Sequence, residues 1–318
     1  AGWAAGVMAA PQFGTPFTDG VVLQRHAKVP VWGTAAAGET VVSGRTYTVS
    51  FTLRTNKRLI NANTPWTTAA GRDFVPLRIK PDIAAGSILD FTGIVPREPC
   101  GAHGRLVVKG DHFEHADKPG ERVKFVGMNL HSYACYHTME EARQLVDRFV
   151  KYGYNAVRFH NYENDYMGLT KGSSDEATPV PERFEGLDNL VEVCRARGLY
   201  VTVDLHIGRA VTYKRLGIDK PGKTVRGEIK TLYLTNKIAK ENFKTFIRGF
   251  LSHVNPHTGR RYADEPTLAL VSVVNESACS WRQFLGESCD PCALEYDFMK
   301  EMRTLIRDEL RSDVPLTS

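Results

Sequence analysis

Short apolar runs separated by turn residues fill the first third of the chain, up to about Gly110. The runs VVLQ, KVPVWG, TYTVSFTLR, DFVPLRI and RLVVKG carry β-branched or aromatic residues, and Gly, Pro and Asn stand between them. From Thr46 to Leu53 apolar and polar residues alternate, as in a strand with one face in water. The pattern predicts a small all-β, sandwich-like accessory module over residues 1–115.

Near Val123 the pattern changes to strands that alternate with striped helices. Four apolar runs read as buried strands: VKFVGMNLH, NAVRFH, YVTVDLH, and LALVSVVNES from Leu268 to Ser277. The helix after the first run opens on a capping box of Thr138 and Glu141. The apolar stripes predict the buried side of four helices: Leu145, Val146, Phe149 and Val150; Phe184, Leu187, Val191 and Cys194; Ile238, Phe246, Ile247, Phe250 and Leu251; Leu294, Phe298, Leu305 and Ile306.

Four strand-helix units in succession predict an α/β fold with a parallel sheet. A Gly-x-Gly-x-x-Gly loop does not follow the first strand, which disfavours a dinucleotide-binding fold and favours a (β/α)8 TIM barrel. The last residues, DVPLTS, predict the start of a fifth strand. Residues 116–318 are therefore expected to form strands 1 to 4 and the start of strand 5, the first half of a barrel.

Polar residues stand at the carboxyl ends of all four predicted strands. In barrels of this kind these ends line the active site, so one shared polar pocket is expected. Asp204 faces the same side as His206 but one layer deeper, which indicates a structural role. The candidates for the pocket are His131, Tyr133, Arg158, His160, Asn161, His206, Asn275 and Glu276.

From about Val123 to Ser318 the chain resembles the first half of a clan A glycoside hydrolase of family 5, the cellulase family. The resemblance is carried by the Arg of VRFH, the His of VDLH and the Asn-Glu pair of VVNE, in this order. It implies that Glu276 is the general acid/base and that Asn275 binds the sugar 2-hydroxyl. It also implies that Arg158 keeps the nucleophilic carboxylate ionised and that His206 lines the site.

Retaining hydrolysis of a β-glycosidic bond needs two carboxyl groups, an acid/base and a nucleophile about 5 Å apart. In the family the nucleophile is a Glu at the end of the seventh strand, so the resemblance implies that it is absent from this chain, which is then expected to be inactive alone. No cofactor or metal is expected. Aromatic residues of the rim are candidate platforms for a β-linked oligo- or polysaccharide: Tyr133, Tyr162, Tyr166 and Trp281.

Two other functions compete with a glycoside hydrolase. His131, His160 and His206 come from three adjacent strands and could converge on the metal of a barrel hydrolase. Alternatively, the chain could bind carbohydrate without catalysis. The segment from Phe17 to Val41 weakly resembles the opening β-segment of sialate O-acetylesterases, but their Ser nucleophile motif is missing.

The charge, the apolar runs and the cysteines of the chain limit the kinds of partner that we expect. The net charge of +5 comes without a basic and aromatic patch, so nucleic acid is not an expected partner. No apolar run approaches the roughly 20 residues of a membrane span, so membrane insertion is not expected either. Six cysteines are too few for a disulfide scaffold, although Cys289 and Cys292 have the spacing of half a zinc site. Secretion or a periplasmic location is expected, and the oligomeric state is left open.

Overall fold

The computed structural model describes residues 82–317 except 96, 164–165, 170, 221–223, 226–227 and 278–290, together with four residues of the first part. Those four form an antiparallel pair, β1 (Gln12–Phe13) with β2 (Gly33–Thr34). The chain divides into two compact units, Ala1–Leu77 and Arg78–Ser318. Most of the strands expected in the first unit lie outside the described residues, so the β-sandwich stays a prediction.

A small antiparallel sheet opens the described part of the second unit. Its strands are β3 (Leu106–Lys109), β4 (His112–His115) and β5 (Lys118–Val123). Leu106 packs with Cys100, Tyr200 and Ala269 in a buried cluster of its own. The boundary expected at residues 115–116 falls between β4 and β5, within a sheet that belongs to the second compact unit.

Five parallel strands form the main sheet, and their spatial order follows their order in the chain. They are β6 (Gly127–His131), β7 (Ala156–His160), β8 (Tyr200–Asp204), β13 (Leu268–Ser272) and β14 (Leu316–Thr317). An order without reversal is that of a barrel, because a doubly wound sheet reverses at a switch point. Within the described residues β6 and β14 are the two edges of the sheet. The fold is a partial (β/α) barrel, as predicted.

In the described residues, five helices follow one another between these strands. They are α1 (Met139–Lys151), α2 (Glu185–Ala196), α3 (Ile229–Thr235), α4 (Lys237–Ser252) and α5 (Pro291–Thr304), which continues as a π-helical turn, Leu305–Glu309. The capping box of Thr138 and Glu141 is confirmed, with both reciprocal hydrogen bonds present. Gly153 and Gly198 follow α1 and α2 with φ of +76° and +68°, the left-handed C-terminal position that glycine favours.

Shorter elements also occur in the described part of the second unit. The two-residue strands are β9 (Val211–Thr212), β10 (Thr224–Val225), β11 (Val254–Asn255) and β12 (Arg260–Arg261). Single 3-10 turns span Thr92–Ile94, Ser132–Cys135, Pro181–Arg183 and Tyr262–Asp264. Among the helices of the described residues, none combines the length and the apolar character needed to cross a membrane.

The core lies between the sheet and its helices. Val157, Phe159, Val201 and Val203 point to the helices and are buried, as are the predicted stripes of α2, including Cys194. Ile238 is a wrong prediction, since 52% of it is exposed. The buried face of α4 runs through Ala239, Phe243, Phe246 and Phe250, and Ile238 lies about 100° away from Ala239 around the helix.

The other face of the sheet carries partly exposed and polar residues. In register, Asn129 pairs with Arg158, Arg158 with Thr202 and Thr202 with Leu270. One step nearer the carboxyl ends, His131 pairs with His160, and Asp204 pairs with Ser272. These residues form the inner face of the partial barrel, where the expected pocket lies.

Close pairing of β6 with β7 depends on Gly127, where a Cβ atom would overlap the backbone carbonyl of Ala156. Ala156 lies on β7, which pairs with β6 and β8 on its two sides, so its backbone cannot move aside without loss of pairing. We therefore expect Gly127→Ala to lower the free energy of unfolding by about 3 kcal/mol, measured by urea denaturation. Gly93→Ala is the control, since a Cβ there meets no atom within 4 Å. Equal unfolding midpoints for the two variants would contradict this account of the β6–β7 contact.

Candidate active site

An ion pair between neighbouring strands organises the carboxyl end of the sheet. Arg158 on β7 donates from Nε to Oδ2 of Asp204 at 2.8 Å and from Nη2 to Oδ1 at 2.7 Å. Asp204, at the end of β8, is fully buried, whereas the Arg158 side chain is 35% exposed. The two-point geometry holds the guanidinium in one orientation. Arg158 was expected to support a nucleophile, and in this structure Asp204 occupies it.

The same pair reaches two further candidate residues. Nη2 of Arg158 donates to Oδ1 of Asn275 at 2.7 Å, which ties β7 to the residues after β13. Nδ1 of His160 lies 3.0 Å from Oδ2 of Asp204. Because a carboxylate paired with arginine accepts hydrogen bonds, this contact places the imidazole proton on Nδ1. Arg158, His160, Asp204 and Asn275 thus form one connected network, and Glu276 follows directly in the chain.

Glu276 lies at the surface of the site with an uncommon backbone conformation. Its φ is +52°, in the left-handed region that residues other than glycine seldom adopt. Nζ of Lys230, on α3, donates to the carbonyl oxygens of Asn275 at 2.5 Å and of Glu276 at 3.1 Å. The amide of Asn275 donates to the carbonyl of His206 at 2.9 Å. The Asn-Glu pair is therefore fixed from both sides, and within the described residues Glu276 is exposed.

Arg158, Asp204, Asn275 and Glu276 border a cavity of about 320 Å³ on the inner face of the sheet. A polar floor with one exposed carboxyl group at its edge suits a ligand rich in hydroxyl groups, which can donate and accept hydrogen bonds at once. The lining residues are Arg158, Thr202, Val203, Asp204, Leu270, Ser272, Asn275, Glu276 and Thr317.

His206 does not line this cavity, contrary to expectation. Its ring is fully buried, with Nδ1 3.1 Å from the hydroxyl of Tyr233 and with edge-on contacts to Tyr233 and Phe243. Burial lowers the pKa of His206 well below its usual value, and the charges of Arg209 and Lys230 lower it further. The strand ends at Asp204, so the two-residue alternation that predicted its direction no longer applies.

His131 and Asn161 form a second group at the ends of β6 and β7. Nδ2 of Asn161 lies 3.3 Å from Nε2 of His131 and 3.3 Å from the hydroxyl of Ser132. The ring centroids of His131 and His160 are 5.6 Å apart, so this group adjoins the Asp204 network. Neither His131 nor Asn161 is among the residues that line the cavity.

The aromatic residues predicted as sugar platforms differ in their exposure. Tyr133 is 74% exposed at the end of β6, as a sugar platform requires. Tyr162 is fully buried and packs on Phe250 at 5.3 Å between ring centroids, so it belongs to the core and not to the rim. Tyr166 stacks on Tyr136. Trp281 lies outside the described residues.

The metal-site alternative does not gain support from the geometry. Within the described ranges no three His, Cys, Asp or Glu side chains come together in a way that could hold a metal ion. His131 and His160 lie side by side, but the ring of His206 is in the core. Cys289, half of the suggested zinc pair, lies outside the described residues.

Sequence reasoning missed two charged residues and underrated a third. Asp204, expected to be structural, is the centre of the network. Lys230 stands in a Gly-rich segment, where nothing in the sequence marks it as a contact of Asn275 and Glu276. Glu163 follows Tyr162 and is buried, and it accepts the amides of Ile207 and Gly208 at 2.6 and 2.8 Å. Burial raises the pKa of Glu163.

Comparison with known proteins places this site in a family. The model of the cellulase family, glycosyl hydrolase family 5, matches residues 116–284, slightly more than half of the chain. The chain belongs to glycosyl hydrolase family 5. The match contains the strands β6, β7, β8 and β13 and therefore all of the network described above.

Two curated relatives are plant enzymes. The chain is 26% identical over 201 residues to mannan endo-1,4-beta-mannosidase 1 of Arabidopsis thaliana, an alignment that covers 59% of this chain and 44% of the relative. It is 28% identical over 101 residues to mannan endo-1,4-beta-mannosidase 3 of Oryza sativa subsp. japonica, covering 30% of this chain and 21% of the relative. This family 5 chain thus spans less than half of the length of each.

Among solved structures, the chain is similar to an endo-1,4-beta-mannanase from Rhizomucor miehei. The identity is 18% and the TM-score 0.49, with 65% of this chain and 58% of that chain covered. A similar match to the endo-beta-1,4-mannanase of Thermotoga petrophila has 19% identity and a TM-score of 0.42, with 62% and 43% covered.

The central place of Asp204 can be tested by stability. Asp204→Ala leaves the Arg158 guanidinium without its carboxylate, and a broken buried pair costs about 3–5 kcal/mol. Because a third of Arg158 is open to water, we expect a smaller loss of about 2–3 kcal/mol in the free energy of unfolding, measured by urea denaturation. Asp204→Asn should lose less, since its amide oxygen still accepts one bond.

Asp147→Ala is the matched control. Asp147 pairs with Arg197 at 2.7 Å, but both side chains are about half exposed, and such pairs contribute less than about 1 kcal/mol. A loss for Asp204→Ala no larger than that of Asp147→Ala would show that the network does not depend on Asp204.

Proposed function

We propose that this chain carries the acid/base half of a retaining β-glycoside hydrolase, with Glu276 as the general acid/base. The observation that carries the proposal is the position of Asn275 and Glu276 at the carboxyl end of a central barrel strand. There Asn275 is bound to the Arg158–Asp204 pair, and Glu276 stands at the edge of the cavity. Active sites of such barrels lie at this end of the strands.

The proposed roles follow from the chemistry of retention. The Glu276 carboxyl group gives its proton to the glycosidic oxygen while a second carboxylate attacks the anomeric carbon, so the leaving sugar departs as an alcohol. Glu276, now a carboxylate, takes a proton from water, and the resulting hydroxide equivalent displaces the enzyme carboxylate. Arg158 binds the side-chain oxygen of Asn275, and the side-chain nitrogen of Asn275 is proposed to bind the sugar 2-hydroxyl.

The second carboxylate is proposed to come from a later barrel strand, outside these 318 residues. Among the described residues that line the cavity, Asp204 is the one other acidic residue. Both of its oxygens accept hydrogen bonds from Arg158, and Oδ2 also faces His160. A carboxylate held in this way is a poor nucleophile. By itself the chain is therefore expected to turn over glycosides negligibly.

The proposed substrate is a β-1,4-linked mannan. The curated relatives named above are mannan endo-1,4-beta-mannosidases, which supports this choice over other β-linked polysaccharides. His131, His160 and the exposed Tyr133 extend the polar surface beyond the cavity, as a polymer substrate requires. A polymer of this kind is met outside the cell, so we also propose that the protein is secreted or periplasmic.

The test is Glu276→Ala in a longer chain that includes the remaining strands. Only a poor leaving group needs a proton, so we expect turnover of β-1,4-manno-oligosaccharides to fall by about 10²–10⁴-fold. The glycosylation step with a dinitrophenyl β-mannoside should be nearly unchanged. Azide needs no general base, so it should restore turnover of the activated substrate and yield a β-mannosyl azide, identified by mass spectrometry and NMR.

Glu140→Ala is the control, because Glu140 is an exposed residue of α1 whose carboxylate, among the described residues, accepts a hydrogen bond from Gln144. It should behave as the unmutated protein on both substrates. Equal losses for Glu276→Ala on activated and unactivated substrates, with no azide product, would refute the acid/base role.

A further inference from the structure

Lys230 lies beneath the backbone of the Asn-Glu pair and is nearly buried, with 8% of its surface exposed. It is the second residue of α3, a helix that precedes β13 in the chain. Its ammonium group donates to two consecutive backbone carbonyls, those of Asn275 and Glu276. A single side chain thus holds both peptide oxygens of the proposed catalytic segment.

Burying an ammonium group costs free energy unless the group makes hydrogen bonds, so the partners of Lys230 are informative. Burial lowers the pKa of Lys230, and the negative charges of Glu276, Glu163 and Asp204 oppose that shift. Its recorded hydrogen bonds go to carbonyl oxygens and not to any of these carboxylates. The ammonium group of Lys230 therefore donates its hydrogen bonds to the backbone and not to an acidic side chain.

The backbone at this point needs support. The left-handed conformation of Glu276, with φ of +52°, costs roughly 1–2 kcal/mol for a residue that carries a Cβ. Such a conformation persists only when its surroundings hold it. On one side the backbone N–H of Asn275 donates to the carbonyl of His206. On the other side Lys230 binds the two carbonyls.

We infer that Lys230 is a positioning residue of the hydrolase site, which holds Glu276 in the left-handed conformation and so directs its carboxyl group to the cavity. The inference rests on the proposed role of Glu276. Lys230 does not touch the substrate; it acts through the backbone of the acid/base. Removing its charge and hydrogen bonds, with its length kept, should release that backbone.

Lys230→Met in the 318-residue chain tests the hold on the backbone directly, without any need for turnover. The φ angle of Glu276, measured by NMR coupling constants and chemical shifts, should leave the left-handed region. Hydrogen exchange of the backbone N–H of Asn275 should become at least about 10-fold faster, as expected for a locally opened segment. Lys240→Met is the matched control, because Lys240 on α4 pairs with Glu301 on α5 at 2.9 Å, away from Glu276. An unchanged φ at Glu276 and unchanged exchange in Lys230→Met would overturn the inference.

Kinetics of the longer chain test the consequence for catalysis. A misplaced acid loses up to about 100-fold in rate, so Lys230→Met should lower kcat on β-1,4-manno-oligosaccharides by 10-fold or more, with KM little changed. The glycosylation step with the dinitrophenyl β-mannoside should be affected far less, because its leaving group needs no proton, whereas hydrolysis of the glycosyl-enzyme still uses Glu276 as base. Equal losses for the manno-oligosaccharides and for this glycosylation step, together with a lower Tm, would indicate a merely structural lysine and contradict the inference.

The two proposals fail in different ways. If Glu276→Ala discriminates between the substrates but Lys230→Met does not, Glu276 is the acid/base and Lys230 does not position it. If Glu276→Ala itself does not discriminate, the acid/base role fails, and the NMR result still decides whether Lys230 holds the Glu276 backbone.

Discussion

The buried carboxylate of Asp204 is the constraint on which the proposed site depends. A charged group with no exposure to water must be paired, and the residue that pairs with it is Arg158 on the neighbouring strand. The guanidinium binds Asp204 through Nε and Nη2, and these two bonds fix its orientation. In that orientation Nη2 also donates to the side-chain oxygen of Asn275. One ion pair thus aligns three strand ends.

The two faces of the main sheet have different tasks. Val157, Phe159, Val201 and Val203 bury one face against the helices, and this burial stabilises the unit as part of its large apolar cluster. The opposite face carries the charged network and a left-handed Glu276; taking the charges out of water and holding that backbone conformation both oppose folding. A stable helix-covered sheet can carry such a site because its strand ends are held by backbone pairing, while the side chains beyond them remain free for chemistry.

Much of this architecture follows from local sequence pattern. The capping box at Thr138, the glycines that end α1 and α2, and the sequential parallel strands all follow from spacing alone. The network was only partly predictable: the strand-end rule brought Arg158 and Asn275 together, but it gave Asp204, one layer deeper on the same side, only a structural role. His206 and Tyr162 were expected in the site but are buried, because the period of a strand says nothing about side chains after the strand ends. Lys230 was missed because its contact with Glu276 joins residues 46 positions apart.

The most direct test of the central claim is a crystal structure of the longer chain, carrying Glu276→Gln, with a bound β-1,4-manno-oligosaccharide. The claim predicts that the side chain of residue 276 lies about 3 Å from a glycosidic oxygen. It also predicts that the side-chain nitrogen of Asn275 makes a hydrogen bond to the 2-hydroxyl of the adjacent sugar. Asn275 should still accept from Arg158. An oligosaccharide bound away from the cavity, or a residue 276 side chain turned away from every glycosidic oxygen, would contradict the claim.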